Sequence, residues 1–270
     1  MSLRFAGRAF TYLGLAIAAY LSVFPFYWMM VGATNTSADI IKGKAGYGAA
    51  LWDNFAKLFA QVDMAQVTLN SAEIAAIGTA LTLLVSSMAG YGFEMFRTRI
   101  SERVFAFLLL LLSIPFAAIM VPLFVTMSKL HIVNTFLAVI IPSVASIFII
   151  FYFRQSSKAF PTELRDAARV DGLKEWQIFL YIYVPVMRST YAAATIIVFM
   201  ANWNNYLWPL IVLQTNEKKT ITLVVASLGS AYVPDYGVVM VATTLATLPT
   251  LIIFFLLQRQ FVEGLVGSVK

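Results

Sequence analysis

No cysteine occurs in the 270 residues, which excludes disulfides and thiolate metal sites. Histidine is almost as scarce. The single one, His131, lies in a short turn between apolar runs. An intramembrane protease needs a serine–histidine pair, paired aspartates or a metal-binding histidine cluster within the bilayer, and none is available. Acids are missing from the middle of every apolar run; Glu73 and Glu94 bracket one of them. Proton- and sodium-coupled carriers often keep ionisable groups near the membrane midplane, where such groups are costly and functional. Sodium held by carbonyls alone stays open. No G-x-x-x-x-G-K-[S/T] loop is present, so the chain does not bind ATP by that route. Energy for active transport would have to enter through another polypeptide.

Charge as a whole is thin, at 12% of residues against 60% hydrophobic; soluble domains carry about 25% charged residues. The deficit is concentrated in uncharged runs: Ala9 to Ala38, Ile74 to Phe93, Val104 to Ser128, Asn134 to Phe153, Ser189 to Asn216 and Tyr236 to Gln258. A helix of about 20 residues crosses the hydrocarbon layer, so the runs predict an all-α integral membrane protein with six spans. The first run is too long for a signal-peptide core and continues into Trp28-Met29-Met30 without a small-residue cleavage site, so it is expected to be retained as a span.

The spans are expected at about Phe10–Gly32, Ser71–Phe93, Val104–Ser128, Thr135–Phe153, Thr190–Leu213 and Tyr236–Leu257. Of the 19 Lys and Arg residues, 13 fall on one side if the N-terminus is cytoplasmic, and every arginine is among them. This positive-inside bias places both termini in the cytoplasm. It also accounts for the net charge of +6 without nucleic acid or another anionic partner. Leu51–Val62, "LWDNFAKLFAQV", has apolar residues three and four apart and predicts a short amphipathic helix at the outer surface. Small residues crowd the second span, as in close membrane-helix packing. Pro25, Pro115, Pro122, Pro142, Pro209 and Pro249 fall inside spans and predict kinks.

Between the fourth and fifth spans lies the densest charged stretch, "PTELRDAARVDGLKEWQIF", Pro161–Phe179. Thr162 is placed to cap a helix and Glu163 to complement its dipole. Ala167 and Ala168 leave a low, flat surface, and Gly172 is a natural stop. A second short helix, "LKEWQIFLYIY", is expected to expose Lys174 and Glu175, to turn Trp176, Phe179 and Leu180 toward apolar neighbours, and to end at Pro185. The result is a helix–Gly–helix elbow. Spacing alone leaves open whether it packs only on its own chain.

"ELRDAARVDG" followed by "WQIF" and "VP" resembles the EAA loop of permease subunits in binding-protein-dependent ABC importers. Asp166-Ala167-Ala168 stands at the E-A-A position, Gly172 at the glycine and Val184-Pro185 at the closing pair. "NWNNYLWPL", Asn202–Leu210, is similar to the W-N-[D/E]-[F/Y]-L-W-P-L stretch of the carbohydrate permeases, with Asn205 in place of the usual acid. The tail "QRQFVEGLVGSVK", Gln258–Lys270, resembles that of the MalG-like subunit type.

The resemblance implies a type I importer permease (MetI-like) fold: an N-terminal span and outer segment over 1–65, a permease core over 66–259 with its coupling loop at about 154–188, and a cytoplasmic tail over 260–270. It implies a prokaryotic inner-membrane location, a second homologous permease subunit, two copies of a cytoplasmic ATPase that carry the ATP and Mg, and an extracytoplasmic solute-binding protein that delivers a sugar. No cofactor is expected on this chain, which is not itself an enzyme. Coupling to the ATPase would fall to Glu163, Asp166, Ala167, Ala168, Asp171, Gly172 and Trp176. Tail contacts with the ATPase would fall to Glu263, Gly264, Gly267 and Lys270. The translocation path would draw on Asn202, Trp203, Asn204, Asn205, Tyr206 and Trp208. For the asparagines interhelical hydrogen bonding competes with sugar contact, and for the tryptophans interfacial anchoring does. A membrane scaffold that binds a non-ATPase partner and an ion-driven carrier remain as alternatives.

Overall fold

Uncharged runs of this length satisfy their backbone polar groups internally as helices. In a computed structural model the backbone is described for residues 2–266, with side chains for residue 8 and residues 10–259. Among the described residues every regular element is helical. The order is α1 Ser2–Ala33, α2 Ser37–Ile41, α3 Leu51–Gln61, α4 Met64–Met95, α5 Arg99–Leu111, α6 Phe116–Lys129, α7 Phe136–Val144 and α8 Ile147–Ser157. There follow α9 Thr162–Val170, α10 Glu175–Ile178, α11 Val184–Val186, α12 Arg188–Trp203, α13 Leu207–Val212, α14 Ile221–Gly229 and α15 Tyr236–Val266.

Four stretches are long and apolar enough to cross a membrane: Phe10–Ala33, Met64–Met95, Phe136–Ser157 and Tyr236–Arg259. Two bent pairs bring the number to six if each counts as one span, the number predicted from the uncharged runs. The third span differs from expectation. It is not one helix but α5 and α6, bent by 102° around Leu112–Pro115. Pro115 has no N–H to give to a continuing helix; it instead takes the extended N-cap position of α6. The fifth span is also jointed: Glu175–Val186 and Arg188–Val212 meet at 82°, at Met187.

The chain forms two compact units. The first comprises residues 1–64 and 224–248, the second 65–223 and 249–270. In the first, α1 leaves Phe10, Leu13, Ile17 and Tyr20 uncovered, as a helix bathed in lipid can, because acyl chains are as apolar as those side chains. The amphipathic α3 forms as the spacing predicts and buries Asn54 and Leu58.

In the second unit the helices approach through small residues. A Cβ on Gly90 of α4 would stand 2.6 Å from the Cβ of Phe153 and 2.8 Å from the Arg154 amide nitrogen on α8, so only glycine allows this contact. Helix starts follow their sequences. Thr98 and Ser101 form a reciprocal capping box at α5, and Thr135 caps α7 through the Ala138 amide. One apolar cluster holds Ile74, Met127, Val139, Trp208, Val212 and Leu223.

Candidate functional site

The charged stretch folds as two helices around Gly172. α9 carries Glu163 in its first turn and stops at Asp171. Gly172 then takes φ = +83°, a left-handed conformation open to glycine and strained for other residues. Its amide donates to the Arg169 carbonyl at 3.0 Å and the Leu173 amide to the Ala168 carbonyl at 3.0 Å, so the orphan carbonyls of the helix end are satisfied.

Several expectations for this elbow need correction. Pro161 rather than Thr162 occupies the cap position; its fixed φ already suits a helix entry, and no side-chain cap bond forms. Ala168 is buried, so of the two alanines only Ala167 offers a low outer surface. Trp176 and Leu180 point outward, while Ile178 and Phe179 turn in. The helix ends at Val186, one residue past Pro185. The run passes through a π-helical turn at Phe179–Tyr183 and a last turn at Val184–Val186 that holds Pro185 near its start. Pro185 has no N–H to add to the ladder of this run, which stops one residue later.

Glu175 is not free to face solvent. Its Oε1 accepts from Arg169 Nε at 2.6 Å and from Arg165 Nη2 at 3.4 Å, and its Oε2 accepts from the Tyr91 hydroxyl at 3.1 Å. Arg165 is buried, with its guanidinium 4.6 Å over the Phe96 ring and its Nη1 donating to the Met95 carbonyl at 3.2 Å. Asp166, Glu163 and Asp171 stay exposed and form no side-chain hydrogen bond or ion pair among the described residues. The elbow therefore turns one set of charges inward and leaves three acids, Ala167 and Trp176 on the outside.

The second candidate region is a crease in the fifth span. α12 ends at Trp203, Asn204 to Tyr206 are not helical, and α13 resumes at Leu207. The freed carbonyl of Asn205 accepts from the Thr222 hydroxyl at 3.0 Å, the kind of substitute bond a broken membrane helix needs. Asn202 Nδ2 donates to Thr79 Oγ1 of α4 at 3.4 Å, an interhelical bond, and Asn202 also lines the cavity described next. A cavity of about 300 Å³ opens beside the crease. Its polar lining is Thr82, Ser143, Ser146, Asn202 and Asn205, and no charged residue lines it.

The tryptophans behave otherwise than expected. Trp203 and Trp208 are each 2% exposed. Trp208 donates its Nε1–H to the Ala138 carbonyl at 2.8 Å and sits edge-on to Phe116; Trp203 stacks on Phe199. Both are packed inside the chain rather than set at its surface, and Trp208 also lines the cavity. Asn204 is exposed and bonds back to the Met200 carbonyl at 3.0 Å; Tyr206 is exposed.

Residue type had not marked Arg165, Arg154 or Tyr91. Arg154 is buried on α8, donates to Glu102 at 2.5 Å and lies 3.9 Å over the Phe105 ring. For Arg154 the available signal was a charge at the very end of an apolar run, since such a residue is buried only when paired; Arg165 and Tyr91 had none. In the tail, Glu263 and Gly264 lie on α15 as backbone only, and Gly267 and Lys270 lie outside the described residues.

Four spans, or six with each bent pair counted as one, a creased helix beside a mostly apolar cavity that no charged residue lines and a charged elbow describe a multi-pass membrane protein of the permease class. Residues 81–266 match the model of the binding-protein-dependent transport system inner membrane component family. The chain belongs to that family, whose members are inner-membrane permease components. It is 68% identical over 256 residues, 95% of this chain and 94% of the relative, to the lactose transport system permease protein LacG of Rhizobium radiobacter. It is 34% identical, over 96% of this chain and 95% of the relative, to the arabinooligosaccharides transport system permease protein AraQ of Halalkalibacterium halodurans. A crystal structure of a bacterial ABC transporter involved in the import of the acidic polysaccharide alginate matches with a TM-score of 0.82 at 18% identity, over 97% of this chain and 98% of that one. Membership favours the ABC importer permease over the scaffold and the ion-driven carrier that composition also allowed.

Proposed function

We propose that this chain forms half of the pore of an ATP-driven importer for an uncharged sugar or oligosaccharide. An extracytoplasmic binding protein delivers the sugar, a second homologous permease completes the path, and two copies of a separate ATPase bind the ATP and Mg. Both termini lie in the cytoplasm, as the arginine distribution argues, and the tail from Gln260 reaches toward the ATPase. The substrate class rests on relatives named for lactose and arabino-oligosaccharides. The cavity adds a constraint: amides and hydroxyls suit sugar hydroxyls, whereas a lining without charge offers no counter-ion to an acidic substrate.

One observation carries the coupling role. Asp166 and Ala167 stand exposed about one and a half turns before a positive-φ glycine, on an elbow in which Arg165, Arg169 and Glu175 pair with one another. An exposed acid beside a low alanine surface suits a basic cleft on a partner that must approach closely. Ala167→Trp tests this. The side chain enters open solvent, so the variant should insert and assemble with its partner permease. Uptake into proteoliposomes and co-purification of the ATPase should both fall at least tenfold. Wild-type uptake would refute the docking role.

A further inference from the structure

The clasp around Glu175 joins more than the two arms of the elbow. Arg165 belongs to α9 and Glu175 to α10, but Tyr91 and Met95 belong to the end of α4, and Phe96 follows it. One carboxylate and one guanidinium thus tie three helices. Behind them, the Tyr91 ring packs 5.4 Å from Phe179 and 4.8 Å from Tyr183, and the Tyr183 hydroxyl lies 2.6 Å from Ser157 Oγ. The π-helical turn that delivers Phe179 and Tyr183 to this cluster is a rare backbone form, found mostly where a helix meets a functional constraint.

The middle of the same α4 reaches the cavity. Thr82 lines it, Thr79 accepts from Asn202, and a Cβ on Gly78 would meet the Asn202 amide at 3.0 Å. Between Thr82 and Met95 the helix runs without a break for about 20 Å at 1.5 Å per residue. α4 is therefore a continuous rod, gripped by the elbow at its Met95 end and set against the cavity wall at its middle.

Stability alone gives little reason for the charges. A buried ion pair stabilises a fold weakly compared with apolar residues of the same volume, but breaking one partner is costly and geometry is tightly specified. Arg165, 8% exposed, is a side chain that is otherwise seldom buried.

We infer that Arg165 and Glu175 are positioning residues that lock the elbow to the far end of α4, so that displacement of the elbow is delivered along α4 to the cavity wall at Thr79 and Thr82. This rests on the docking role proposed above, with the partner ATPase supplying the displacement. Neither residue touches the substrate.

The test uses the complete importer in proteoliposomes, with uptake and ATP hydrolysis measured on the same preparation. Arg165→Ala should keep hydrolysis within about twofold of wild type and lower the sugar molecules imported per ATP at least tenfold. Tyr91→Phe removes only the hydroxyl that ties α4 to Glu175. It should fold as wild type and lower the same ratio about threefold, which keeps the test decisive if Arg165→Ala does not assemble. A purely structural role would reduce uptake and hydrolysis together, through the amount of complex, and leave their ratio unchanged. A wild-type ratio in assembled Arg165→Ala or in Tyr91→Phe overturns the lever while leaving docking intact. Failure of the wild-type elbow to cross-link to the ATPase overturns docking itself, and the lever with it.

Discussion

Two polar knots fasten this chain, and they are built from opposite materials. In the unit of residues 1–64 and 224–248 the knot is made of neutral amides. Asn54 Nδ2 donates to the carbonyls of Ala33 and Asn35, each at 2.9 Å, and Asn35 Nδ2 donates to those of Val31 and Gly46 at 2.9 and 2.8 Å. In the elbow the knot is made of Arg165, Arg169 and Glu175, with Tyr91 as the one neutral member. The amides are 1% and 2% exposed, whereas the Glu175 side chain keeps 36% of its surface open. Amides need only their hydrogen bonds replaced and so bury more readily, although Asn35 Oδ1 is left without a donor here; ionised groups carry a desolvation cost and stay where water reaches one side. The dry knot sets a fixed shape. The half-wet one keeps its charges paired at the water's edge, which suits an element that is pushed as a unit.

Breaking the dry knot should have the larger effect on stability. Asn54→Ala leaves two buried carbonyls without donors, at a cost of about 3 kcal/mol. The thermal midpoint of the detergent-purified complex should drop clearly, while the surviving molecules import as many sugars per ATP as wild type. A changed ratio would erase the division of labour between the knots. Gly237→Ala attacks the same place from outside. Its Cβ would meet Asn54 Nδ2 and Oδ1 at 2.6 Å and the Asn35 carbonyl at 2.8 Å, with no flexible chain end to give way. Overpacking of this kind costs about 1–3 kcal/mol. Combined with Asn54→Ala, which removes the clashing amide, it should cost less than the two changes added; strict additivity would show that Gly237 does not press on the knot.

Much of the elbow was legible in the sequence and little of the dry knot was. Glycine after a short charged helix signals a stop by its own chemistry, and the six uncharged runs signal spans by length. Asn35 and Asn54 carried no such mark, because a polar residue in a loop or a short amphipathic helix is most often solvated. Register inside the spans was also hidden. A soluble helix shows which face is inward by its polar face, but lipid and protein interior are both apolar, so Trp203 and Trp208 gave no sign that they point inward. Pro115 marked a kink in the third span but not its size, and at Asn204–Tyr206 the run stays uncharged while the backbone turns. At the elbow the misjudged residues, Ala168 and Glu175, differ from Ala167 and Asp166 only in position around a helix, which residue type cannot report.

The smallest effect separates the knots by pH. Asp235 stands at the rim of the amide knot. It accepts from the Ser37 hydroxyl at 2.8 Å, from Lys57 Nζ at 3.0 Å and from the Gly237 amide at 3.2 Å. Burial alone would raise its carboxyl, but the hydrogen bonds from Ser37 and Lys57 and the Lys57 charge hold it below the usual aspartate range. The ionised form is thus favoured by folding. Its contribution is present above the unfolded value near 4 and is lost as pH falls through the lower folded one. The group is about one-third exposed, which keeps the contribution below about 1 kcal/mol. The amides do not titrate. The difference in thermal midpoint between wild type and Asp235→Asn should therefore be measurable at pH 7 and shrink toward zero at about pH 3, with the effect of Asn54→Ala unchanged across the same interval. An Asp235→Asn difference that persists in acid would mean that the carboxylate holds this rim by shape rather than by charge.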